Sequence, residues 1–322
     1  MTGAIRYLPD ATLESLDISS LALVEAVEAA LVAKAEGRLH TAPKSVLRPD
    51  DGRYLMSTLA AGDPGFVVVK QVSVCPDNAE RGLPTINGAI LVLDGDTGLL
   101  RAILGANWIT AFRTAALSAV AARRLAHPEA QTLALIGSGV QARSHLAVFA
   151  DLFPLERIRV LGRGQANIDR LCDQARGLGL DAEAMDNPEE TLADADIVVS
   201  AVTLDTTIDP FLDARWLKPG AFASITDACI PWRPESLSAF SMVIVDDREQ
   251  EAASDRPMLP PDLITDDLVG LVVRIAQAAD RKSPSAFAFR GLALGDYAAA
   301  VLALERAEER EVGVLLPEMG AP

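Results

Sequence analysis

The sequence predicts an α/β protein that combines a doubly wound parallel sheet with a smaller, discontinuous α+β domain. Three observations support this fold class. Short apolar runs alternate with helical segments through the middle of the chain, which is typical of a parallel sheet covered on both faces. A glycine-rich turn follows the first of these runs. The chain has 322 residues, and with roughly 150 residues per domain as a guide it has room for two domains.

The charge and composition of the chain exclude several classes of protein. It contains 29 Lys and Arg against 45 Asp and Glu, for a net charge of -16. Nonspecific nucleic-acid binding requires a cationic surface, so we expect no nucleic-acid partner, and an anionic membrane surface is excluded on the same ground. With 50% hydrophobic and 23% charged residues, the composition is that of a globular protein. A globular enzyme is therefore expected.

The cysteines and the apolar segments predict a cytoplasmic location. Cys75, Cys172 and Cys229 lie far apart and form no Cys-x-x-Cys pair, which argues against a disulfide framework and a structural zinc site. No metal site is predicted. The N-terminus has no apolar run after a basic start, so no signal peptide is expected. The longest apolar stretch, 288–304, is interrupted by charged residues and glycines and is not a membrane span.

The first domain is predicted from segments near both ends of the chain. Residues 13–37 carry apolar positions at helical spacing and end at a glycine, which predicts one amphipathic helix. Residues 44–100 are short β-branched runs separated by turn pairs, which predict a small antiparallel or mixed sheet. Residues 290–310 are helical again and are assigned back to this domain. The predicted domains are 1–115 with 290–322, and 116–289.

The second domain begins after a helix predicted at 110–126. It alternates helices with apolar strands in the order QTLALI, RIRVL, DIVVSAV, FASI and MVIVD. Parallel strands need crossover connections, which are usually helices and right-handed, so this alternation predicts a doubly wound sheet.

A dinucleotide fingerprint follows the first strand of the second domain. It has the pattern G-x-G-x-x-A and consists of Gly137, Ser138, Gly139, Val140, Gln141 and Ala142. The first glycine permits a tight turn, the second lets the backbone approach a pyrophosphate, and the small Ala142 allows close strand-to-helix packing. The helix that begins here would direct free N–H groups at phosphates. The turn lies between a strand and a helix, so we predict a Rossmann domain that binds NAD(P)H.

The sequence leaves the choice between NADH and NADPH open. The second strand of such a domain usually ends in an acid that binds the ribose of NAD. Here the strand is followed by Gly162, Arg163 and Gly164, with no acid. Arg163 is consistent with a 2′-phosphate partner, but it could equally stack on adenine.

Four cationic residues lie within otherwise apolar segments of the first domain: Lys44, Arg48, Lys70 and Arg113. Lys70 stands within a β-branched run, so it either has a partner, faces a site, or lies on an edge strand toward solvent. Arg113 is open to a similar alternative, a capping or surface arginine. In a protein of net charge -16 these cations most simply bind carboxylate groups.

The motifs taken in order resemble those of the ornithine cyclodeaminase/μ-crystallin family. The resemblance covers nearly the whole chain and rests on KxVxVxP from Lys70, Asn78, GLPTINGAILVLDGDTGLLRAIL, TAFRTAA, IGSGVQA, ADIVVSAV and RGLALGDYAAA. It implies a discontinuous substrate-binding and dimerisation domain, a Rossmann domain and a homodimer formed through the first domain's sheet. Family members exchange hydride between nicotinamide and the α-carbon of an amino or imino acid.

The resemblance also implies roles for individual residues. Lys70 and Arg113 match the family's substrate-carboxylate ligands, and Lys44 falls where many members have an arginine. The cofactor-binding residues that it implies, taken with the fingerprint and the turn after the second strand, are Thr110, Arg113, Thr114, Gly137, Ser138, Gly139, Val140, Gln141, Ala142 and Arg163.

One departure from the family pattern bears on the reaction. Cys229 occupies the position of the catalytic acid of cyclodeaminases, and Asp227 lies two residues upstream. Ring closure with loss of ammonia needs a well-placed carboxylate, so cyclodeaminase activity is disfavoured. Asp227 is either a catalytic residue that orients water or the imine N–H, or a turn residue. Cys229 is expected to be a buried apolar residue rather than a nucleophile.

The resulting hypothesis is an NAD(P)H-dependent imine reductase that makes an L-amino acid. Lys44, Arg48 and Arg233 exceed the needs of one carboxylate, so the best substrate is a dicarboxylate, iminosuccinate, which would be reduced to L-aspartate. The alternatives are a cyclic ketimine reductase or alanine dehydrogenase-like enzyme, an ornithine cyclodeaminase, and a non-catalytic dinucleotide-binding protein of the crystallin type. The isolated histidines are expected to be surface or helix residues: His40, His127 and His145.

Overall fold

The computed structural model describes residues 4–62, 65–274 and 282–318 of the chain. Residue contacts divide the chain into unit 1, Met1–Arg113 with Leu292–Pro322, and unit 2, Thr114–Gly291. The division thus falls at 113 and 291, where the sequence suggested 115 and 289. The segments of the predicted domain ranges that lie outside the described residues are 1–3, 63–64, 275–281 and 319–322.

The strands and helices of the described residues are numbered in chain order. The strands are β1 (Ile5–Leu8), β2 (Leu39–Thr41), β3 (Ser45–Leu47), β4 (Tyr54–Gly62), β5 (Phe66–Val74), β6 (Ile86–Asp94), β7 (Leu100–Gly105), β8 (Thr132–Ile136), β9 (Arg157–Leu161), β10 (Asp181–Met185), β11 (Ile197–Ser200), β12 (Phe222–Ile225), β13 (Met242–Val245), β14 (Asp266–Asp267), β15 (Ser285–Ala288) and β16 (Val314–Leu316). The helices are α1 (Asp10–Glu14), α2 (Ser20–Ala35), α3 (Ala106–Leu125), α4 (Val140–Leu152), α5 (Gln165–Gly177), α6 (Pro188–Ala193), α7 (Arg248–Ala252), α8 (Leu268–Val273) and α9 (Ala293–Glu309). Short 3₁₀ helices lie at Pro76–Arg81, Ala214–Trp216, Pro234–Ala239 and Pro261–Leu263. No helix in the described part of the chain is long and apolar enough to cross a membrane.

The prediction of a single helix over 13–37 is wrong, because α1 and α2 are separate. Helix α1 ends at Glu14, and Asp17 adopts a left-handed conformation with φ of 47°. A left-handed residue does not continue a right-handed helix. Ser19 then caps α2, because its Oγ accepts a 3.2 Å hydrogen bond from the backbone N of Ala22. Asp17 and Ser19 therefore interrupt the helix, although the apolar positions continue at helical spacing on both sides of them.

Unit 1 is built on a mixed, eight-stranded sheet. Its order is β16-β1-β7-β6-β5-β4-β2, and β3 also pairs with β4. β1 and β7 are parallel, whereas the other neighbours are antiparallel. The sheet is larger than the predicted one because the short strands β1 and β16, from near the two ends of the chain, extend it.

The two faces of this sheet differ in burial. Helix α9 packs on α2 and contacts β4 and β5, which covers one face. Side chains on the covered face, including Val68, Lys70 and Ile90, are buried. On the opposite face of the same strands, Leu59 and Leu91 are 42% and 38% exposed. Lys70 therefore lies on the covered face, among apolar side chains.

Unit 2 contains an eight-stranded sheet of order β10-β9-β8-β11-β12-β15-β13-β14. Every pair in it is parallel. The chain moves outward from β8 to β10 and then returns to place β11 on the other side of β8, which is a doubly wound topology. The predicted fold class is therefore confirmed. The sequence prediction did not include three strands of this sheet: β10 and β14, which form its two edges, and β15, which lies between β12 and β13.

Candidate active site

Lys70 lies inside unit 1 rather than at its surface. It stands in the middle of β5, and its side chain is 0% exposed. Its Nζ donates a 2.6 Å hydrogen bond to Oδ1 of Asp296. Asp296 belongs to α9, so the C-terminal helix supplies the counter-charge. The alternative of an edge-strand charge that faces solvent is wrong.

Arg113 shares the same carboxylate. Its Nε lies 2.9 Å from Oδ1 of Asp296, and its side chain is 6% exposed, so it is not a surface arginine. Thr58 Oγ1 donates a 3.0 Å hydrogen bond to the second oxygen, Oδ2. One carboxylate on α9 thus orders a lysine on β5, an arginine on α3 and a threonine on β4. We call Lys70, Arg113, Asp296 and Thr58 the cation cluster.

The pKa values in the cation cluster follow from burial and charge. Burial opposes ionisation of Asp296, but the charges of Arg113 and Lys70, with hydrogen bonds from Lys70 and Thr58, hold the pKa of its carboxyl below the ordinary value. Burial and the Arg113 charge lower the pKa of Lys70 to about 8, against the opposing effect of Asp296. Lys44, partly buried ahead of β3, adds a smaller effect that also lowers it. The cluster therefore carries more positive than negative charge.

Two other cations proposed from the sequence have observed partners. Arg48 is exposed, and its guanidinium carbon lies 5.0 Å from the ring centroid of Tyr54. In unit 2, Arg233 pairs with Asp213 at 3.4 Å and stacks on Trp216 at 5.1 Å. Arg233 thus has a carboxylate partner within unit 2, whereas the contact with the Tyr54 ring leaves the N–H donors of Arg48 able to bind an anion.

The fingerprint turn has the geometry that a dinucleotide requires. Gly137 has φ of 102°, and a Cβ there would lie 2.5 Å from the carbonyl oxygen of Ala201, so only glycine fits. A Cβ at Gly139 would meet no heavy atom within 4 Å, which leaves that backbone open to a ligand. Gly139 is also the N-cap of α4 and provides no side-chain cap. The residues present therefore fit a pyrophosphate at this turn.

The remaining predicted cofactor residues lie near this turn or on α3. Ser138 and Ala142 are buried, and Val140 is 56% exposed. Oε1 of Gln141 is buried and has no hydrogen-bond partner among the described residues. Thr110 and Thr114 lie on α3 in unit 1 and unit 2 respectively. Arg163 is exposed, two residues after the end of β9.

Asp227 is buried at the carboxyl end of β12, the side of a parallel sheet where ligands bind. It accepts hydrogen bonds from Ser200 Oγ at 3.1 Å and from the backbone N of Val202 at 3.2 Å. Trp232 Nε1 in turn donates to Ser200 Oγ at 3.0 Å. Burial raises the pKa of Asp227 to about 7, although these hydrogen bonds oppose the shift. The carboxyl can therefore hold or release a proton near neutral pH.

Cys229 lies in a tight turn, and its thiol is in surroundings that disfavour the reactive thiolate. Ala228 and Cys229 both have left-handed backbones, with φ of 55° and 60°. Burial, with the charges of Asp227 and Glu251, raises the pKa of the Cys229 thiol well above its ordinary value. The side chain packs in the apolar core of unit 2. Because the thiolate is the nucleophilic form, these surroundings fit an apolar residue.

Sequence reasoning missed two polar features. Asp296 stands within the motif RGLALGDYAAA, and an acid inside an Ala- and Leu-rich helix is itself a signal of a buried partner. His145 is expected at the surface or in a helix; it lies on α4, but it is fully buried. Its Nδ1 donates to the carbonyl of Gln141 at 2.7 Å, so its Nε2 accepts from Ser118 Oγ at 2.9 Å. Ser224 Oγ donates to Ser118 Oγ at 2.8 Å.

Within the described ranges, the His, Cys, Asp and Glu side chains form no group of three or more that could hold a metal ion. The charged residues of the cation cluster are instead paired with one another.

The chain belongs to the ornithine cyclodeaminase/mu-crystallin family, whose model matches residues 10–311. It is 30% identical over 241 residues to the ketimine reductase mu-crystallin of Mus musculus, covering 73% of this chain and 74% of that protein. The predicted family membership is confirmed.

Two solved structures extend the comparison. The structure of Thermococcus litoralis Delta(1)-pyrroline-2-carboxylate reductase in complex with NADH and L-proline has a TM-score of 0.87 and 25% identity, covering 96% of this chain and 99% of that one. The iminosuccinate reductase of Paracoccus denitrificans in complex with NAD+ has a TM-score of 0.83 and 22% identity, covering 97% and 99%. The names of all three relatives describe reductases of C=N compounds, and the two structures hold NADH or NAD+. The predicted enzyme class, an NAD(P)-dependent oxidoreductase acting on C–N bonds, is the class of these relatives.

Proposed function

We propose that this protein reduces a small α-imino acid to an L-amino acid with NADH or NADPH. The observation that carries the proposal is the cation cluster, in which Lys70 and Arg113 are buried side by side against the carboxylate of Asp296. Excess positive charge in an apolar interior favours a bound anion, and Arg and Lys both bind carboxylates. The fingerprint turn and the reductase relatives support the cofactor and the reaction class.

In the proposed mechanism, each residue has a limited task. Lys70 and Arg113 bind the α-carboxylate of the substrate and fix its orientation. The Gly137–Ala142 turn would hold the pyrophosphate of NAD(P)H, which would supply the hydride. Asp227 orients water or the imine N–H, and its pKa of about 7 lets its carboxyl exchange a proton near neutral pH. Lys70 keeps positive charge beside the substrate below pH 8 or so, given its pKa of about 8.

The substrate that we propose first is iminosuccinate, which yields L-aspartate. Arg233 already has a carboxylate partner, so this proposal depends on Arg48 and on Lys44, which acts on Lys70 electrostatically. The second candidate is a monocarboxylic cyclic ketimine such as Delta(1)-pyrroline-2-carboxylate. The observation that favours it is Asp296, which offsets one of the two buried positive charges.

The test is NADH and NADPH oxidation with three imines. These are iminosuccinate formed from oxaloacetate and ammonia, Delta(1)-pyrroline-2-carboxylate, and iminopyruvate formed from pyruvate and ammonia. We expect turnover with at least one, and the highest kcat/KM with iminosuccinate. Turnover with the cyclic ketimine and none with iminosuccinate would select the second candidate.

The same assay distinguishes imine reduction from cyclodeamination and from cofactor binding without catalysis. A cyclodeaminase would release ammonia from L-ornithine without net cofactor turnover. A crystallin-type binder would bind NADH or NADPH and turn over none of the three imines. Either result would overturn the proposed reduction.

We also propose that the protein is a cytoplasmic homodimer formed through the open face of the unit 1 sheet. A row of apolar side chains crosses five neighbouring strands on this face. Each residue of the row is the cross-strand partner of the next: Tyr7, Ile103, Leu91, Val69 and Leu59. Tyr7, Leu91 and Leu59 are between 38% and 42% exposed in the single chain. Contiguous exposed apolar surface of this kind favours association. The free thiols of Cys75, Cys172 and Cys229 support a reducing compartment.

A further inference from the structure

The cation cluster contains an acid, Asp296, which as an anion cannot itself bind the carboxylate of the substrate. Asp296 is 2% exposed and contacts both cations, at 2.6 Å from Lys70 Nζ and 2.9 Å from Arg113 Nε. The positive charges of Lys70 and Arg113 lie near each other in an apolar interior, so they repel each other strongly. A carboxylate that touches both relieves this repulsion and fixes where each cation lies.

Lys70 also has hydrogen-bonding capacity that the contact with Asp296 does not use. A protonated lysine has three N–H donors. Among the described residues the structure gives Nζ one hydrogen-bond partner, Oδ1 of Asp296. Because Lys70 is 0% exposed, solvent does not satisfy the other donors in the way it would at a surface. A substrate carboxylate would satisfy them.

We infer that Asp296 is a positioning residue for the substrate carboxylate: it holds Lys70 beside Arg113 and offsets one of their charges, so that the pair binds a single carboxylate group. This inference rests on the proposed function, because it assumes that a carboxylate is the ligand. A second carboxylate on the substrate would then need a different cation, and Lys44 is the one that acts on this site.

The inference has a measurable electrostatic consequence. The groups that act on Lys70 are Arg113 from α3, Asp296 from α9 and Lys44 from the segment before β3. Of these, Asp296 alone favours the charged ammonium. Its replacement by a neutral amide of the same shape must therefore make Lys70 lose its proton at lower pH.

The experiment measures the titration of Lys70 directly in the full-length protein. The chain has five lysines, Lys34, Lys44, Lys70, Lys218 and Lys282, so NMR of protein labelled with ε-13C-lysine gives few signals. The Lys70 signal is assigned by its loss in Lys70→Met. Asp296→Asn is compared with Asp17→Asn, the same chemical change at an exposed acid of unit 1 whose side chain is 82% exposed. Asp296→Glu restores the negative charge.

We expect Asp296→Asn to raise the acid dissociation constant of Lys70 by about tenfold or more, since one pKa unit is tenfold. Asp17→Asn should leave it unchanged, and Asp296→Glu should recover part of the shift. A Lys70 midpoint that is the same in Asp296→Asn and in the unmodified protein overturns the inference. If Asp296→Asn does not fold, Asp296→Glu carries the test, because moving the carboxylate by one methylene group should lower the Lys70 midpoint by less than the amide would, and an unchanged midpoint would equally overturn the inference.

The same variants are then assayed against the imine that the unmodified protein turns over. A positioning role predicts that the rise of KM with pH moves to lower pH in Asp296→Asn and moves back in Asp296→Glu. Loss of stability alone would lower the amount of active enzyme and leave the pH at which KM rises in place. The lysine titration does not require turnover, so it decides the role of Asp296 even if the protein reduces no imine.

Discussion

Ser200 Oγ donates a 3.1 Å hydrogen bond to Oδ1 of Asp227 in the interior of unit 2. Ser200 ends β11 and Asp227 follows β12, so the bond joins the carboxyl ends of two neighbouring strands of the parallel sheet. Trp232 Nε1 donates to the same hydroxyl and holds it in place. The carboxyl is thus fixed by neutral donors.

Asp227→Asn should stabilise the protein increasingly as pH rises. Burial raises the pKa of Asp227 from 3.8 to about 7, so the folded state holds this proton more tightly than the unfolded state does. The stabilisation from this proton is complete below about pH 4 and is lost as pH rises through 7. Denaturant unfolding should show that the stability gained by Asp227→Asn over the unmodified protein is larger at pH 8 than at pH 5, by about 3 kcal/mol. A pH-independent difference would contradict it.

His145→Phe should show the opposite pH dependence. Burial lowers the pKa of His145 to about 4, so the folded state disfavours its protonation. The free energy of unfolding of the unmodified protein should therefore fall by up to about 3 kcal/mol as pH falls from 6.5 toward 4. His145→Phe has no imidazole to protonate, so it should not show this decrease. The measurement is the difference in unfolding free energy between the two proteins across this range. Equal slopes would mean that His145 is not buried as the neutral form.

Lys70→Met should lower kcat/KM for the preferred imino acid by on the order of 10². Methionine keeps the length of the side chain but cannot bind a carboxylate, and it leaves Asp296 without the lysine. The matched control is Lys218→Met, at a lysine that is 35% exposed and paired with Asp196. Because loss of one member of a buried ion pair costs about 3–5 kcal/mol, thermal melts must accompany the kinetics. An unchanged kcat/KM in folded Lys70→Met would remove Lys70 from the site.

Arg163→Ala should weaken NADPH binding more than NADH binding. The turn after β9 has no acid, and a Cβ on Gly162 would lie 3.0 Å from Ser138 Oγ, so a side chain does not fit easily there. Arg163 is exposed, with the Asp205 carboxylate near enough to sense its charge. Affinities for both cofactors are measured by nucleotide fluorescence without substrate. An equal loss for the two would indicate stacking on adenine instead of contact with the 2′-phosphate.

Leu91→Glu should convert the proposed dimer to a monomer. Leu91 lies at the centre of the apolar row on the open face of the unit 1 sheet, and it is 38% exposed there. A carboxylate at this position would be desolvated in an interface. Sedimentation should give a mass near the 34.1 kDa of one chain for this variant and twice that for the unmodified protein. Leu99→Glu, at a leucine that is 59% exposed and follows β6, serves as the matched control.

Five strands of unit 2 could be predicted because each is a short apolar run between helical segments, as at Thr132–Ile136. The strand Asp181–Met185 lacks an apolar run and Asp266–Asp267 has only two residues, so neither carries this signal. Ile5–Leu8 and Val314–Leu316 are too short for alternation to distinguish a strand. Their pairing comes from tertiary contacts, which no local pattern encodes.

For the site, the sequence revealed Lys70 and Arg113 as cations in apolar text. It did not reveal that their partner is Asp296, because that pairing exists only once α9 packs on the sheet. Arg48 had the same local signal, yet it is exposed and stacks on Tyr54. Residue type alone does not separate a buried cation from a solvated one.

The separation of 226 positions between Lys70 and Asp296 has a consequence for synthesis on the ribosome. Lys70 emerges early, but its counter-charge arrives only with α9, after all of unit 2. Unit 2 is one continuous stretch of chain, so it can fold while the rest is being made. Unit 1 includes the C-terminal segment Leu292–Pro322, so it can be completed only when the synthesis of the chain ends. A messenger truncated before the codons for α9 should therefore yield a folded unit 2 attached to an N-terminal segment that chaperones and proteases recognise as unfolded.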